Sequence, residues 1–99
     1  MRASRNTLLI QALATEIKAR RNQLGLTQED LAGASGLDRP YITLMEAARK
    51  QPTVSVFWRL AEGLRATPGE LASAVQERYE ALLAARAHDS MPIGELIPE

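Results

Sequence analysis

Apolar residues recur along this chain at the three- and four-residue spacing of helices, and no segment alternates convincingly at the two-residue period of a strand. The first helical stripe contains Ile10, Leu13, Ile17 and Leu24, and Gly25 follows it as a left-handed cap. The pattern therefore predicts an all-α protein whose first helix ends just before Gly25.

Capping residues predict where the second and third helices begin. Thr27 and Asp30 have the spacing of a capping box, in which a hydroxyl and a carboxylate satisfy the first backbone N–H groups of a helix. Gly36 stops this short helix. Asp38 is expected to cap the third helix, with Pro40 in its first turn, where a missing N–H does no harm.

Two more helices follow by the same criteria. Pro52-Thr53 begins the fourth, and Thr67 and Glu70 form a second capping box at the start of the fifth. The fifth helix is expected to reach as far as Arg86, because no breaker interrupts it. The buried face of the fourth helix is predicted to consist of Phe57, Leu60, Ala61 and Leu64.

Composition argues against an enzyme and against a metal or other cofactor. The chain has no cysteine, and His88 is its single histidine, so neither a thiolate site nor a pair of imidazole ligands is possible. The carboxylates do not cluster with a nucleophile or with metal-ligand spacing. We therefore expect no catalytic residues, no metal and no cofactor.

The charge is distributed unevenly although the net charge is zero. Residues 1–65 carry ten basic and six acidic side chains, a net of +4, whereas residues 66–99 carry two and six, a net of −4. A basic front half fits a protein that meets phosphate. The segment 7–14 loosely imitates a signal peptide, but its helical period continues through Ile17, so we expect the start of a soluble helix and a cytoplasmic protein.

Several residues together resemble the Cro/repressor (XRE-like) helix-turn-helix family. They are Leu-Gly-Leu-Thr-Gln-Glu-Asp-Leu-Ala at 24–32, followed by Gly36-Leu37, Ile42-Thr43 and Glu46. The resemblance implies a five-helix, lambda-repressor-like DNA-binding fold in which the helix at 38–47 lies in the major groove. It implies a sequence-specific regulator of transcription, a repressor, that binds double-stranded DNA.

The resemblance also organises the chain, which we expect to form a single domain over 1–99. The helix-turn-helix core covers 13–72, an extension of the fifth helix covers 73–87, and an irregular tail covers 88–99.

By the family's pattern, four residues of the third helix face bases: Arg39, Pro40, Thr43 and Leu44. Arg39 can donate two hydrogen bonds to guanine O6 and N7. Pro40 and Leu44 offer apolar contact of the kind that suits a thymine methyl group, and Thr43 can take either role.

The same resemblance implies a set of phosphate contacts. Gln28 stands at the start of the second helix, and Arg49, Lys50 and Thr53 lie in and after the loop that follows the third helix. Tyr41 has two interpretations, a phosphate contact through its hydroxyl group or a partly buried structural ring.

Arg21 and Glu46 match a pair that ties the first helix to the reading helix, so we expect a partly buried salt bridge. Ala47-Ala48 replaces the family's usual donor and glycine after that glutamate. Because Ala48 is a poor left-handed stop, the third helix is expected to run longer than in its relatives.

A homodimer is the expected assembly, through a broad apolar face on the fifth helix; the alternative is that this face packs within the chain, against the first helix or Trp58. The face consists of Leu71, Ala74, Val75, Tyr79 and Leu82.

A second function stays open at this point, that of an antitoxin-type module that neutralises a protein partner and regulates its own operon. For that role the acidic C-terminal third would supply a wrapping tail with Ile93, Leu96 and Ile97.

Overall fold

The computed structural model describes residues 5–89, which form five α-helices and no strand. The all-α fold class is confirmed. The helices are α1 (Thr7–Gln23), α2 (Gln28–Ser35), α3 (Arg39–Glu46), α4 (Val54–Gly63) and α5 (Pro68–Asp89).

All five helices contribute to one hydrophobic core. α1 packs along α5, and α2 lies against both α3 and α4. Burying a large apolar side chain is worth about 1.5–3 kcal/mol, so a shared centre holds the short helices α2 and α3 in place. The largest fully buried side chains are Ile17, Leu31, Ile42, Met45, Leu60 and Leu71.

The two predicted capping boxes are present. Thr27 Oγ accepts the Asp30 N–H at 3.0 Å while the Asp30 carboxylate accepts the Thr27 N–H at 2.9 Å. Thr67 and Glu70 repeat the arrangement at 3.0 and 2.8 Å. The backbone hydrogen bonds from Thr27 and Thr67 hold the pKa values of Asp30 and Glu70 below their ordinary values.

Asp38 stands at the N-cap of α3, but its side chain makes no capping hydrogen bond, so this expectation was wrong. An N-cap side chain accepts from the second or third residue of the helix. The second residue is Pro40, which has no N–H, and the third, Tyr41, donates its N–H to the carbonyl oxygen of Asp38 at 3.0 Å.

Four of the helices end in the same way, on a residue with left-handed backbone angles. Their φ values are +71° at Gly25, +69° at Gly36, +59° at Ala48 and +58° at Arg65. In each case the next N–H reaches back to the last turn, as in a Schellman motif. Two of these four positions therefore carry a Cβ where glycine would be unstrained.

The expectation of a longer third helix was wrong, because α3 ends at Glu46 and Ala48 adopts the left-handed stop. The Arg49 N–H donates to the Leu44 carbonyl oxygen at 2.9 Å, and the Ala48 N–H to Met45 at 3.1 Å. These two bonds satisfy carbonyl groups that the helix leaves open, which offsets the cost of about 1–2 kcal/mol for alanine in this conformation.

The face of α5 that was expected to form a dimer packs largely within the chain. Leu71 and Val75 are buried in the core to which all five helices contribute, so neither can meet a second chain. Tyr79 and Leu82 are half-buried against the same core, and Ala74 is half-buried as well.

α5 continues to Asp89, beyond the expected end at Arg86, so His88 belongs to the helix and not to an irregular tail. After the first turn of α5 the sequence has no proline or glycine until Pro92 and Gly94, so no helix-breaking residue would end the helix earlier. Residues 90–99, with the predicted tail and its Ile93, Leu96 and Ile97, lie outside the described residues.

α4 packs closely against α2 at Gly63. A Cβ at this position would overlap the hydroxyl oxygen of Ser35 and come within 3.1 Å of Leu31. The Ser35 hydroxyl is buried and finds no hydrogen-bond partner among residues 5–89. Gly63 is thus a contact residue that fixes α2, and the sequence pattern did not single it out.

Candidate nucleic-acid interface

α3 presents one face to the core and another to solvent. Ile42 and Met45 are buried, at 0% and 1% exposure. The opposite side forms an exposed stripe, which we call the reading stripe, and it contains all four residues that the sequence predicted to face bases. These are Arg39, Pro40, Thr43 and Leu44.

The expected ion pair between Arg21 and Glu46 is present and ties α1 to α3. The guanidinium binds the carboxylate through two bonds, Nε to Oε2 at 2.6 Å and Nη2 to Oε1 at 3.0 Å. Both side chains are largely buried, with 11% and 4% of their surface exposed. The hydrogen bond to Glu46 raises the pKa of Arg21 further, against the effect of burial, so its charge is permanent.

Arg21 also binds the turn before α2. Its Nη1 donates to the carbonyl oxygen of Leu26 at 2.7 Å. One guanidinium therefore joins the end of α1, the entry to α2 and the last turn of α3, and it fixes the angle at which α3 is presented.

Gln28 extends this ion pair to the reading stripe. Its Nε2 donates to Glu46 Oε1 at 3.1 Å, and its Oε1 accepts the Thr43 hydroxyl at 2.6 Å. Sequence reasoning assigned Gln28 to phosphate alone and missed this link. Gln28 is 15 positions from Thr43 and 18 positions from Glu46, so only the fold brings it to them and the sequence carries no local signal for the link.

Apart from Tyr41, the predicted phosphate contacts lie at the start of α2 and between α3 and α4. Gln28 begins α2, Arg49 and Lys50 are exposed in the loop after α3, and Thr53 caps α4. Thr53 Oγ accepts the Val56 N–H at 3.2 Å, which leaves its own hydrogen free to donate. We call Gln28, Arg49, Lys50 and Thr53 the polar border, and Gln28 contacts the reading stripe through Thr43.

Tyr41 is half-buried, and its ring packs against the core. The Lys50 ammonium lies 5.1 Å from the centre of that ring, at cation–π distance. This matches the structural interpretation of Tyr41, and the contact joins Lys50 of the loop to α3.

A second buried carboxylate lies away from α3. Glu16, at 7% exposure, binds Arg20 Nε and Arg78 Nε at 2.6 Å each, and so joins α1 to α5. Burial opposes its ionisation, but hydrogen bonds from Arg78 and Arg20 outweigh burial and hold the pKa of Glu16 below its ordinary value. Sequence reasoning did not identify this cluster.

An apolar groove of about 450 Å³ runs between α1, α4 and α5. Val54 and Trp58 of α4 stand at its edge with 76% and 53% of their surface exposed. The groove begins at the loop residues 51–53, beside the predicted phosphate contacts. Isolated apolar side chains on a surface are ordinary, but a groove with an exposed tryptophan is typical of an interaction surface.

Metal-binding clusters and membrane-spanning helices are absent from residues 5–89. No group of three or more histidine or acidic side chains in that range could hold a metal ion. None of the described helices is long and apolar enough to cross a membrane.

Comparison with known proteins gave one family and several relatives. The helix-turn-helix profile HTH_3 matches residues 17–71. The uncharacterized HTH-type transcriptional regulator y4dJ of Sinorhizobium fredii is 35% identical over 57 residues, which are 58% of this chain and 74% of that protein.

Two solved structures of restriction-modification controller proteins are similar. One is the C.Esp1396I tetramer in complex with its natural 35 base-pair operator (TM-score 0.68, 30% identity, 72% of this chain and 93% of that chain). The other is C.AhdI from Aeromonas hydrophila (TM-score 0.60, 32% identity, 63% of this chain and 94% of that chain).

Proposed function

The chain belongs to the helix-turn-helix family of transcriptional regulators, and from this premise we propose that it is a sequence-specific repressor that reads the major groove with α3. The observation that carries the proposal is the exposed reading stripe on a helix whose other side is fixed by the core and by the Arg21–Glu46 pair. We further infer that it acts in the cytoplasm, as a regulator and not as an enzyme.

The reading stripe suits base edges. An α-helix fits the major groove, where each base pair presents a distinct pattern of donors, acceptors and methyl groups. Arg39 is the one charged donor of the stripe and is placed to bind guanine O6 and N7. Leu44, with 42% of its surface exposed, and Pro40 offer apolar contact to a thymine methyl group.

The polar border suits phosphate. Gln28 and Thr53 stand at the N-terminal ends of α2 and α4, where free N–H groups and the helix dipole favour an anion. Arg49 and Lys50 add positive charge between them. Such contacts hold any DNA sequence and release counterions, whereas base contacts discriminate.

A titration of labelled duplexes at several salt concentrations tests these roles. Arg39→Ala should cost about 1–3 kcal/mol on the preferred site and relax preference mainly at one base pair. Arg49→Ala and Lys50→Ala should weaken specific and random DNA alike and flatten the salt slope by about one unit. If Arg39→Ala binds every sequence as the wild type does, α3 does not read DNA, and the antitoxin-type function becomes the favoured hypothesis.

We propose that the apolar groove receives a second copy of this chain and so forms a two-fold dimer. Val54 and Trp58 supply the exposed apolar surface, and the groove adjoins the loop at 51–53, which directly follows the predicted phosphate contacts Arg49 and Lys50. Tyr79, part of the expected interface, also lines the groove. The similar controller C.Esp1396I was solved as a tetramer on its operator.

The dimer predicts a palindromic operator with half-sites about 34 Å apart or a multiple of that distance. In sedimentation at micromolar concentration, Trp58→Glu should shift the protein from dimer to monomer. Leu83→Glu is the matched control, since Leu83 is also exposed on the surface, at 40%, but does not line the groove. A monomeric wild type, or equal effects of the two variants, would contradict the proposed surface.

A further inference from the structure

We propose that Thr43 reads its base as a hydrogen-bond acceptor, and that Gln28 is the positioning residue that fixes this polarity. The inference rests on the proposed function, because it takes α3 to lie in the major groove. It assigns Gln28 a role in sequence preference in addition to its proposed contact with phosphate.

The direction of the hydrogen bonds is set at the buried end of the network. Arg21 has donors only, and it binds both carboxylate oxygens of Glu46. A carboxylate held in this way accepts hydrogen bonds and has no hydrogen to give. Any neutral group that binds Glu46 must therefore donate to it.

Gln28 is the neutral group that does so. Its side-chain amide has one donating end and one accepting end, and the NH₂ end must face Glu46, where Nε2 lies 3.1 Å from Oε1. The carbonyl end then points the other way, toward Thr43. The ion pair thus determines the orientation of an amide that would otherwise be free to rotate by half a turn.

Thr43 has a single hydroxyl hydrogen, and it is used in a hydrogen bond within the protein. The Gln28 carbonyl oxygen lies 2.6 Å from Thr43 Oγ1 and can only accept. The other neighbour, the Arg39 backbone carbonyl oxygen at 3.2 Å, is also an acceptor. Since the hydrogen stays within the protein, the exposed side of the hydroxyl offers lone pairs.

Lone pairs select amino groups in the major groove. Adenine presents its N6 amino group and cytosine its N4 amino group, whereas guanine and thymine present the acceptors O6, N7 and O4. On the strand that Thr43 approaches, the protein should therefore prefer adenine or cytosine over guanine or thymine. For one neutral hydrogen bond the preference should be about fivefold.

The test compares full-length variants by selection of bound duplexes from a random pool, followed by titration of single-base variants. The wild type should select adenine or cytosine at one position of each half-site. Thr43→Val, which keeps the shape and loses the lone pairs, should reduce the discrimination at that position to about twofold or less. Thr43→Ser, which keeps the hydroxyl, should retain it.

Gln28→Met is the decisive variant. It removes both hydrogen bonds of the amide while keeping a similar volume. The Thr43 hydroxyl then keeps only the longer contact with the Arg39 carbonyl oxygen, at 3.2 Å, and can exchange it for a bond that donates to a base. Discrimination between amino and keto bases at the Thr43 position should fall from about fivefold to about twofold or less, beyond any uniform loss of affinity from a phosphate contact. Gln23→Met, the same change on the exposed surface of α1, is the control, and melting curves verify that each variant folds.

The outcomes separate this inference from the proposed function. If the wild type selects no sequence at all, the proposed function fails. If the wild type selects a sequence but Gln28→Met keeps the full amino preference, or if the position sensitive to Thr43→Val prefers guanine or thymine, the function stands and this inference is overturned.

Discussion

Two buried carboxylates hold this molecule together, and they differ in what lies beyond them. Glu46 and Glu16 are each bound by arginine Nε at 2.6 Å. Glu46 also accepts a hydrogen bond from Gln28, which in turn binds an exposed residue of α3. The side chain of Glu16 binds Arg20 and Arg78 and so joins α1 to α5. An arginine–carboxylate pair therefore helps to position the reading stripe at Glu46, whereas at Glu16 it joins two helices.

The largest expected effect is loss of the Arg21–Glu46 pair. Arg21→Ala and Glu46→Ala should each lower the free energy of unfolding by about 3–5 kcal/mol, because either change leaves a buried charge without its partner. The double variant should lose less than the sum of the two. Denaturant titration measures all three losses, and strictly additive values would mean that the residues do not interact.

Glu16→Gln should have a smaller effect, about 1–3 kcal/mol, because Arg20 and Arg78 keep 28% and 39% of their side-chain surface in water. Glu46→Gln is the matched change at the other site. Both variants should lose stability, but only Glu46→Gln should loosen base preference at the Thr43 position, since it lets the Gln28 amide turn. If Glu16→Gln loosened that preference as well, the two sites would not be distinct.

The pH dependence of stability should also separate Glu16 from its glutamine variant. A carboxyl group whose folded pKa lies below its ordinary value of 4.5 stabilises the fold above that value, and this contribution is lost as the pH falls through the folded pKa. Thermal unfolding between about pH 6 and 3 should therefore show a shallower loss for Glu16→Gln than for the wild type. Asp30 and Glu70 keep titrating in the variant, so some loss remains, and identical slopes would contradict the assignment.

The contrast between the two carboxylates also marks how far the sequence could predict the molecule. Helix starts at Thr27 and Thr67 were predictable because capping acts between residues three apart. The Arg21–Glu46 pair was expected only through the resemblance to a family. Gln28 was only half understood, because its partners Thr43 and Glu46 lie on α3 and no spacing in the sequence relates them. Glu16 was missed: Arg20 stands four residues on in α1, but the link to Arg78 on α5 exists only in the fold.

Two expectations were wrong for a related reason. Ala48 was expected to let α3 run on, and Leu71 to face a second chain, from the local preference of alanine and from the apolar face of α5. In the structure Ala48 adopts the left-handed stop with two backbone hydrogen bonds to the last turn of α3, and Leu71 is buried in the core. Ala48 does so although this conformation costs alanine about 1–2 kcal/mol. In both cases interactions that form only in the folded chain decided the outcome.

The smallest expected effect comes from a substitution next to Glu46 that leaves the Arg21–Glu46 ion pair intact. Ala48, two residues after Glu46, has a φ of +59°, where a Cβ is strained and glycine is not. Ala48→Gly should raise the free energy of unfolding by about 0.5–1 kcal/mol, since relief of strain exceeds the added freedom of the unfolded chain. Ala47, at φ −89°, is the control, and Ala47→Gly should instead cost about 0.5 kcal/mol. Opposite shifts in melting temperature, of a few degrees each, are expected. Shifts of the same sign would show that the end of α3 is not held by the left-handed stop, and that Glu46 sits in a looser turn than its two bonds to Arg21 indicate.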